Sequence, residues 1–363
     1  MAITRLGPNQ DITAAKIAGT INFKNLIING DMSLAQRSTS EASKGADAGY
    51  FTVDRMYYFE NGTTDVRFTQ SQSTDVPSGQ GFASSIKFDC TTADASLAID
   101  NQLVLKHRLE GQNLQQIKFG TSSAESLTLS FWIKSTKTGT FIVELSREGS
   151  RKISKSYTVS SSDTWEKKTL TFSPDTGGSG LSNDNSNRLE VNMYMGVGTN
   201  YSSGTLNTSW SAPSNTDRAV GQVNAFDNTS NNILFTGVQL EADTSASDFE
   251  FLPYDVNLRR CERYTRRLGD GLWGKASSTT NMTIQCPFFS PMRATPSISA
   301  IASAIKTSDV TAADYTSSAG ISGANINQNG ARLNCSSFSG LTSANMYILY
   351  DNSSYIALID AEL

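Results

Sequence analysis

Histidine is almost absent from this sequence: His107 is the only one in 363 residues. A Ser–His–Asp or Cys–His site would have to use it, yet it stands in "LVLKHRLEG" with no marked nucleophile beside it. The common hydrolase and metal-enzyme chemistries are therefore poorly supplied. A paired-carboxylate glycosidase needs no histidine and stays open as the enzymatic alternative. Cysteine is scarce as well. Cys90, Cys261, Cys286 and Cys335 lie far apart, without CxxC or CxH spacing, which favours free, partly buried thiols over a zinc site or a disulfide framework. No apolar run approaches the ~20 residues that span a bilayer, so no membrane insertion is expected. Met1–Thr20 lacks the apolar core of a signal peptide, and an unsecreted chain is the expectation. A net charge of −4 gives no global reason to expect nucleic acid as a partner.

What is present is β-type sequence. Charged residues make up 18% and apolar residues 38%, with 27 glycines and long Ser/Thr/Asn-rich connections, a mix that suits an all-β protein with many loops. The segments "DVRFTQSQ" (65–72), "SSIKFDCT" (84–91), "LTLSFWIKS" (127–135), "TFIVELSRE" (140–148) and "SKSYTVSS" (154–161) carry the alternation. "WEKKTLTFS" (165–173), "RLEVNMYMG" (188–196) and "ILFTGVQLEA" (233–242) continue it. Alternating apolar positions such as Leu127, Leu129, Phe131 and Ile133 give each strand one buried face. Strands at this density, without βαβ spacing, predict one two-sheet sandwich of jelly-roll type over residues 25–252. "LEGQNLQQIKFG" (109–120) reads as a helical or irregular crossover. Trp132 and Trp165 lie in strand contexts and are expected in the core.

Pro253 marks the exit from the last strand, and a helical pattern capped by Asp255 runs to Leu268. At 100° per residue, Leu258, Cys261, Tyr264, Thr265 and Leu268 share one side, with Arg259, Arg260, Arg263, Arg266 and Arg267 opposite. Such a face serves an acidic partner or nucleic acid, a solvated surface or a subunit interface; Arg259, Arg260, Arg263 and Tyr264 are the interface candidates. Residues 269–363 hold strand-like pieces of 8–10 residues between turns, which predicts a second, smaller β domain suited to burial against copies of itself. Before the sandwich, residues 1–24 carry one short helical segment, Asp11 to Ala18, and read as a docking arm or as a frayed terminus.

Five separated motifs carry a resemblance. "NLIINGDMSLAQRST" (25–39) with "YFTVDRMYY" (50–58), "LEGQNLQQIKFGTSSAESLTLSFWIKSTKTGTFIVEL" (109–145), "FTGVQLEADTSASDFEFLPYDVNLRRCERYTRRL" (235–268), "FFSPMRATPSIS" (288–299) and "ALIDAEL" (357–363) resemble a family of bacteriophage virion proteins. These are tail-fibre or receptor-binding proteins with a carbohydrate-binding-module-like jelly roll. "DFEFLPYDVNL" is a loose version of the family's closing motif, so receptor specificity does not carry over. The resemblance implies a non-enzymatic virion component of the phage tail, a homotrimer assembled in the host bacterial cytoplasm. Residues 1–24 would dock on other tail proteins, the β domains would face host-surface glycan, and residues 253–268 would be a helical connector at a symmetric interface. A tail adaptor or capsid-attached fibre without receptor role, and a polysaccharide depolymerase, are the alternatives.

Three sets of residues are candidate sites. Sugar binding needs exposed aromatic faces beside Asn, Asp or Gln; Tyr194, Tyr201 and Trp210 in "MYMGVGTNYSSGTLNTSW" qualify, unless Tyr194 faces the core and the other two pin a long loop. No cofactor is expected beyond a possible structural calcium, for which Asn29, Asp31 and Glu241 offer oxygen ligands on the first and last strands. Asp54, Glu60, Glu144 and Glu190 are the carboxylates available to a glycosidase, and no spacing places two of them at the ~5–10 Å that chemistry uses.

Overall fold

The computed structural model describes residues 23–269, 271–301, 305–309, 314–317, 321–350 and 355–363. The docking-arm expectation for residues 1–24 falls outside them except for Phe23 and Lys24. The chain is mainly β: a two-sheet sandwich of jelly-roll type, one short helix and a smaller β unit. The first sheet orders β1 (Ser40–Lys44), β4 (Arg67–Ser73), β5 (Ser85–Thr92), β12 (Asn232–Glu241), β7 (Leu127–Ser135) and β10 (Glu166–Phe172) side by side. The second orders β2 (Gly49–Tyr50), β3 (Tyr57–Asn61), β6 (Gln102–Glu110), β11 (Asn187–Val197), β8 (Gly139–Arg147) and β9 (Lys152–Val159).

Period-two patterning sets the inner faces. Leu127, Leu129, Phe131 and Ile133 of β7 are fully buried, as are Phe141, Val143 and Leu145 of β8. Between the sheets Phe68 packs edge-on to Phe88 at 5.2 Å and stacks on Phe226 at 5.5 Å, geometry that aromatic quadrupoles favour. The first described segment lies beside the last strand: Leu26 N–H donates to Leu240 O and Val238 N–H to Gly30 O, both at 2.9 Å. All four cysteines are buried and unbridged.

Helix α1 spans Tyr254–Glu262, with Pro253 at its N-cap and Asp255 in its first turn. The helical pattern expected to reach Leu268 stops earlier. Thr265–Gly269 is strand β13, because it pairs with β22 (Tyr355–Asp360), and β22 pairs in turn with β16 (Ser297–Ala300). Thr265 and Leu268 keep their expected burial, but on a strand. A seven-stranded sheet completes the unit: β18 (Asp314–Thr316), β17 (Lys306–Ser308), β21 (Met346–Tyr350), β14 (Leu272–Ala276), β15 (Met282–Pro287), β20 (Gly330–Cys335) and β19 (Ile321–Asn327). Its core includes Ile284, Leu333, Leu349 and Ile359.

The two units meet across buried ion pairs. Arg55, fully buried, pairs with Glu362 and lies 3.5 Å from the Tyr264 ring centroid. Arg37 reaches Asp360 at 2.7 Å and Glu362 at 3.3 Å. Arg293 donates to Ala361 O and Glu362 O at 2.9 and 3.0 Å, and to Asn185 O at 2.9 Å. The segment 360–363 therefore sits among sandwich arginines.

His107 lies close to this junction, 3% exposed, and its Nε2 accepts the Ile28 N–H at 3.3 Å. Burial first, then the positive charges of Arg55 and Arg260, push its pKa well below the usual histidine range. The unfolded chain then takes up a proton below about pH 6.5 that the folded chain refuses, so this contribution is complete above that pH and lost as pH falls. Asp54 works the other way. Burial raises its carboxyl to about 6, despite hydrogen bonds from Gln36, so the folded chain holds the extra proton as pH falls from 6 toward 4. Subtracting the stability–pH curve of His107→Gln from that of the unsubstituted chain should leave a loss of up to about 1.4 kcal/mol per pH unit below pH 6.5. Parallel curves in urea titrations would contradict it.

Candidate functional site

Two of the three aromatics of the expected sugar platform are buried. Tyr194 is fully buried and Tyr201 8% exposed, because residues 198–222 fold over the outer face of the second sheet. Val104, Ile142 and Tyr194 of that face pack with Ala219, Phe59, Val197 and Leu206. Beneath the loop, Arg218 clasps the buried Glu144 at 2.8 and 2.9 Å, and Glu144 also accepts from Asn192 at 3.1 Å and Tyr194 at 3.4 Å. Trp210 pins the loop: its Nε1 donates to Ser173 O at 2.7 Å and its ring meets Phe119 edge-on at 5.2 Å. Tyr194 and Tyr201 serve the fold and offer no sugar-stacking face, while Trp210 stays half-buried and anchors the loop.

The calcium trio does not converge either. Asn29 spends its amide on Leu34 O and Asp54 O at 2.9 and 3.0 Å. Where Asn29, Asp31 and Ser33 bring side-chain oxygens together, the Asn257 amide of α1 donates to them at 3.4, 3.3 and 3.1 Å. A neutral donor fills the place a cation would take. Glu241 lies apart, accepting the Ser247 N–H and Oγ–H, each at 2.8 Å. Among the described residues no three His, Cys, Asp or Glu form a metal-binding group.

The arginine face is used within the chain. Arg263 makes a bidentate pair with Glu110 at 2.8 and 3.0 Å, Arg260 lies 5.2 Å from the Phe23 ring centroid, and Tyr264 is fully buried beneath Arg55. Arg259 alone of the four interface candidates is exposed. Of the glycosidase candidates, Asp54 is held by Gln36 at 2.8 and 2.9 Å. Glu190 is buried enough to raise its pKa, but Lys106 and Arg108 hold it below the usual range. Glu144 sits in its clasp with Arg218, and Glu60 is partly exposed on β3.

An open groove lies elsewhere, on the outer face of the first sheet. It offers about 340 Å³, with Phe82, Trp132, Phe249 and Phe251 as walls and Gln80, Lys167 and Asp248 among its polar groups. Trp132 and Trp165, expected in the core, stand half-buried on this outer face. The reason is parity: with Phe131 and Ile133 inward, Trp132 must point out.

Local backbone shapes the groove. Gly237 sits at a bulge in β12 between Thr236 and Gln239, with φ +61°. A Cβ there would approach the Phe82 ring to 2.6 Å and Trp132 Cδ1 to 3.1 Å, so only glycine leaves the floor open. Phe249 and Phe251 come from the segment after β12 and meet Phe82 at centroid distances of 5.1 Å each. Glu241 and Gln239 hold that segment: Glu241 grips Ser247, Gln239 Oε1 accepts the Glu250 N–H at 2.8 Å, and Gln239 Nε2 donates to Asp248 O at 3.2 Å. Phe251 remains 50% exposed. Phe251 and the half-buried Trp132 and Phe249, backed by the buried Phe82, stand beside an amide, an ammonium and a carboxylate, and such a set can stack on sugar C–H faces and bind hydroxyls.

No family model and no curated protein matches the chain. Among solved structures it is similar to the enzymatically active domain of bacteriophage CBA120 tailspike protein 4, at 16% identity over 60% of this chain and 21% of that one, with a TM-score of 0.31. A putative sugar binding protein from Bacteroides thetaiotaomicron matches at 12% identity over 61% of this chain and 100% of its own, TM-score 0.32. The xylan-binding domain of Paenibacillus barcinonensis Xyn10C matches at 13% over 57% and 94%, TM-score 0.24. The chain spans about a fifth of the tailspike domain's length. Similarity at this level transfers nothing of what those proteins bind.

Proposed function

We propose that this chain is a non-enzymatic structural protein of a bacteriophage virion, a tail-fibre or receptor-binding component that meets host-surface glycan through the groove of its first sheet. The observation that carries the reading is that groove: four aromatic rings, Phe251 half-exposed, set beside Gln80, Lys167 and Asp248. The resemblance of the five motifs to phage virion proteins supports the setting. In the same reading the chain trimerises through residues 269–363, docks on the tail by residues 1–24 and assembles in the host cytoplasm. The engagement of Glu144, Glu190 and Asp54 within the fold favours binding over hydrolysis.

The test uses the purified full chain and polysaccharides extracted from a panel of bacterial envelopes. At least one polysaccharide is expected to bind, and Trp132→Ala to weaken it by about 30-fold or more, the scale of a central aromatic contact. Sedimentation of both proteins should give three times the chain mass. Failure to bind across the panel would sink the glycan reading, release of reducing ends would replace it by a depolymerase, and a monomer would remove the trimer.

A further inference from the structure

The groove does not end at Trp132. The strands β5, β12, β7 and β10 lie side by side, and an aromatic row crosses them. Phe82 leads into β5 and borders Gly237 of β12, and Trp132 of β7 stands opposite Lys167 of β10. Because Glu166 pairs with Ile133, Trp165 comes level with Lys134, one diagonal step from Trp132 on the same outward face. Diagonal partners on adjacent strands lie about 7–8 Å apart, within reach of aromatic side chains. Three strand spacings of about 4.8 Å make the row roughly 14 Å long.

Trp165 is set for contact. Its Nε1 donates to Asp75 Oδ1 at 2.9 Å, which fixes the ring, and the other Asp75 oxygen accepts from Lys134 at 2.9 Å. Lys134 also reaches Asp163 at 3.1 Å. Asp75 is anchored from behind by Ser85 Oγ, which donates to its backbone oxygen at 2.7 Å, and its side chain is still 43% exposed. Burial opposes ionisation of Asp75, but the bonds from Lys134 and Trp165 outweigh it and hold its pKa below the usual range. A fixed ring beside a solvent-facing carboxylate repeats the chemistry of the first groove. Along the row Lys134 and Lys167 face Asp75, Asp163 and Asp248, an excess of one negative charge that disfavours an acidic ligand.

We infer that Trp165 and Asp75 form a second sugar subsite continuous with the Phe82–Trp132 groove, and that the ligand is a neutral, linear glycan bound along several units. This rests on the glycan-binding reading and adds to it the polymer's length and charge. The experiment is an array of bacterial polysaccharide fragments of two to eight sugars, neutral and uronate-bearing, probed with the full chain. Neutral fragments should be retained, with affinity rising tenfold or more from two to six sugars. Trp165→Ala should flatten that rise while leaving the shortest fragments within about twofold, and Trp165→Phe, which keeps a stacking face without the Asp75 bond, should restore most of it. Trp132→Ala should abolish binding at every length.

Binding independent of length, or a Trp165→Ala profile identical to the unsubstituted one, would overturn the second subsite and leave the glycan reading standing. Preference for uronate-bearing fragments would overturn the neutral ligand. Retention of no fragment would overturn the glycan reading itself.

Discussion

Replacing Glu362 by alanine is expected to destabilise the chain by about 3–5 kcal/mol, the cost of leaving one partner of a buried pair uncompensated. The Arg55 side chain is fully buried, Arg37 is 8% exposed, and both point at this carboxylate. Arg55 would retain its bond to Arg108 O at 2.7 Å and its contact with Tyr264, neither of which supplies a negative charge. Burial alone would depress the Arg55 pKa; Glu362 heads the influences that raise it above the usual value. Without that carboxylate the guanidinium must recruit water into the junction, so segment 360–363 should leave the sandwich. Calorimetry should then show two transitions, one for each core, in place of a joint one. The double variant Arg55→Met, Glu362→Leu should recover much of the loss, because a buried ion pair exchanged for apolar groups is often neutral or stabilising. A single transition within 1 kcal/mol of the parent for Glu362→Ala would show that the junction does not depend on this pair. The consequence for function is geometric: the pair fixes how the groove is presented relative to residues 269–363.

The sandwich is legible where apolar and polar residues alternate along a strand, even where the outward Thr128 and Ser130 of β7 are themselves covered. β7 and β10 alternate cleanly, and their register sets Leu129 against Leu170 and Leu127 against Phe172. The strand β6 was not legible. Val104 and Lys106 are covered on the outer side as Leu103 and Leu105 are on the inner, so its residues show no period of two. That cover is the loop 198–222, a long-range effect that no local pattern contains. The same loop explains why Tyr194 misled: polar neighbours and turn residues look alike whether a segment frames a site or seals one. Trp132, expected in the core, stands outward instead, because the parity that buries Phe131 and Ile133 turns it to the other face. Its partners were not legible, because Phe82, Phe249 and Phe251 reach it only through the bulge at Gly237. The helical pattern extends past α1 because Thr265 and Leu268 continue its apolar face at helical spacing; in the strand they lie on opposite faces, and the pairing with β22 decides.

The second large effect separates the sealed face from the open one. Glu144→Ala should cost about 3–5 kcal/mol, because Arg218 is left 14% exposed without its carboxylate and Asn192 and Tyr194 lose their acceptor. The loop 198–222 should loosen, seen as faster amide exchange at Ala219, whose N–H donates to Tyr201 O at 2.8 Å, and at Tyr201, whose N–H donates to Gly198 O at 3.0 Å. In the cold, where the variant is still folded, its glycan affinity should remain within about twofold of the parent, since Glu144 lies in the second sheet and the groove on the first. Trp132→Ala should behave in reverse. Its side chain stands on a half-exposed outer face, so the melting temperature should fall by only a few degrees, a loss of about 1 kcal/mol, while binding is lost. If a folded Glu144→Ala chain lost the glycan and Trp132→Ala kept it, the sugar would belong beneath the loop, with Tyr194 as its platform and loop opening as the step that admits it. The crossed result expected here instead assigns the buried Glu144–Arg218 clasp to stability and the aromatic row of the first sheet to recognition.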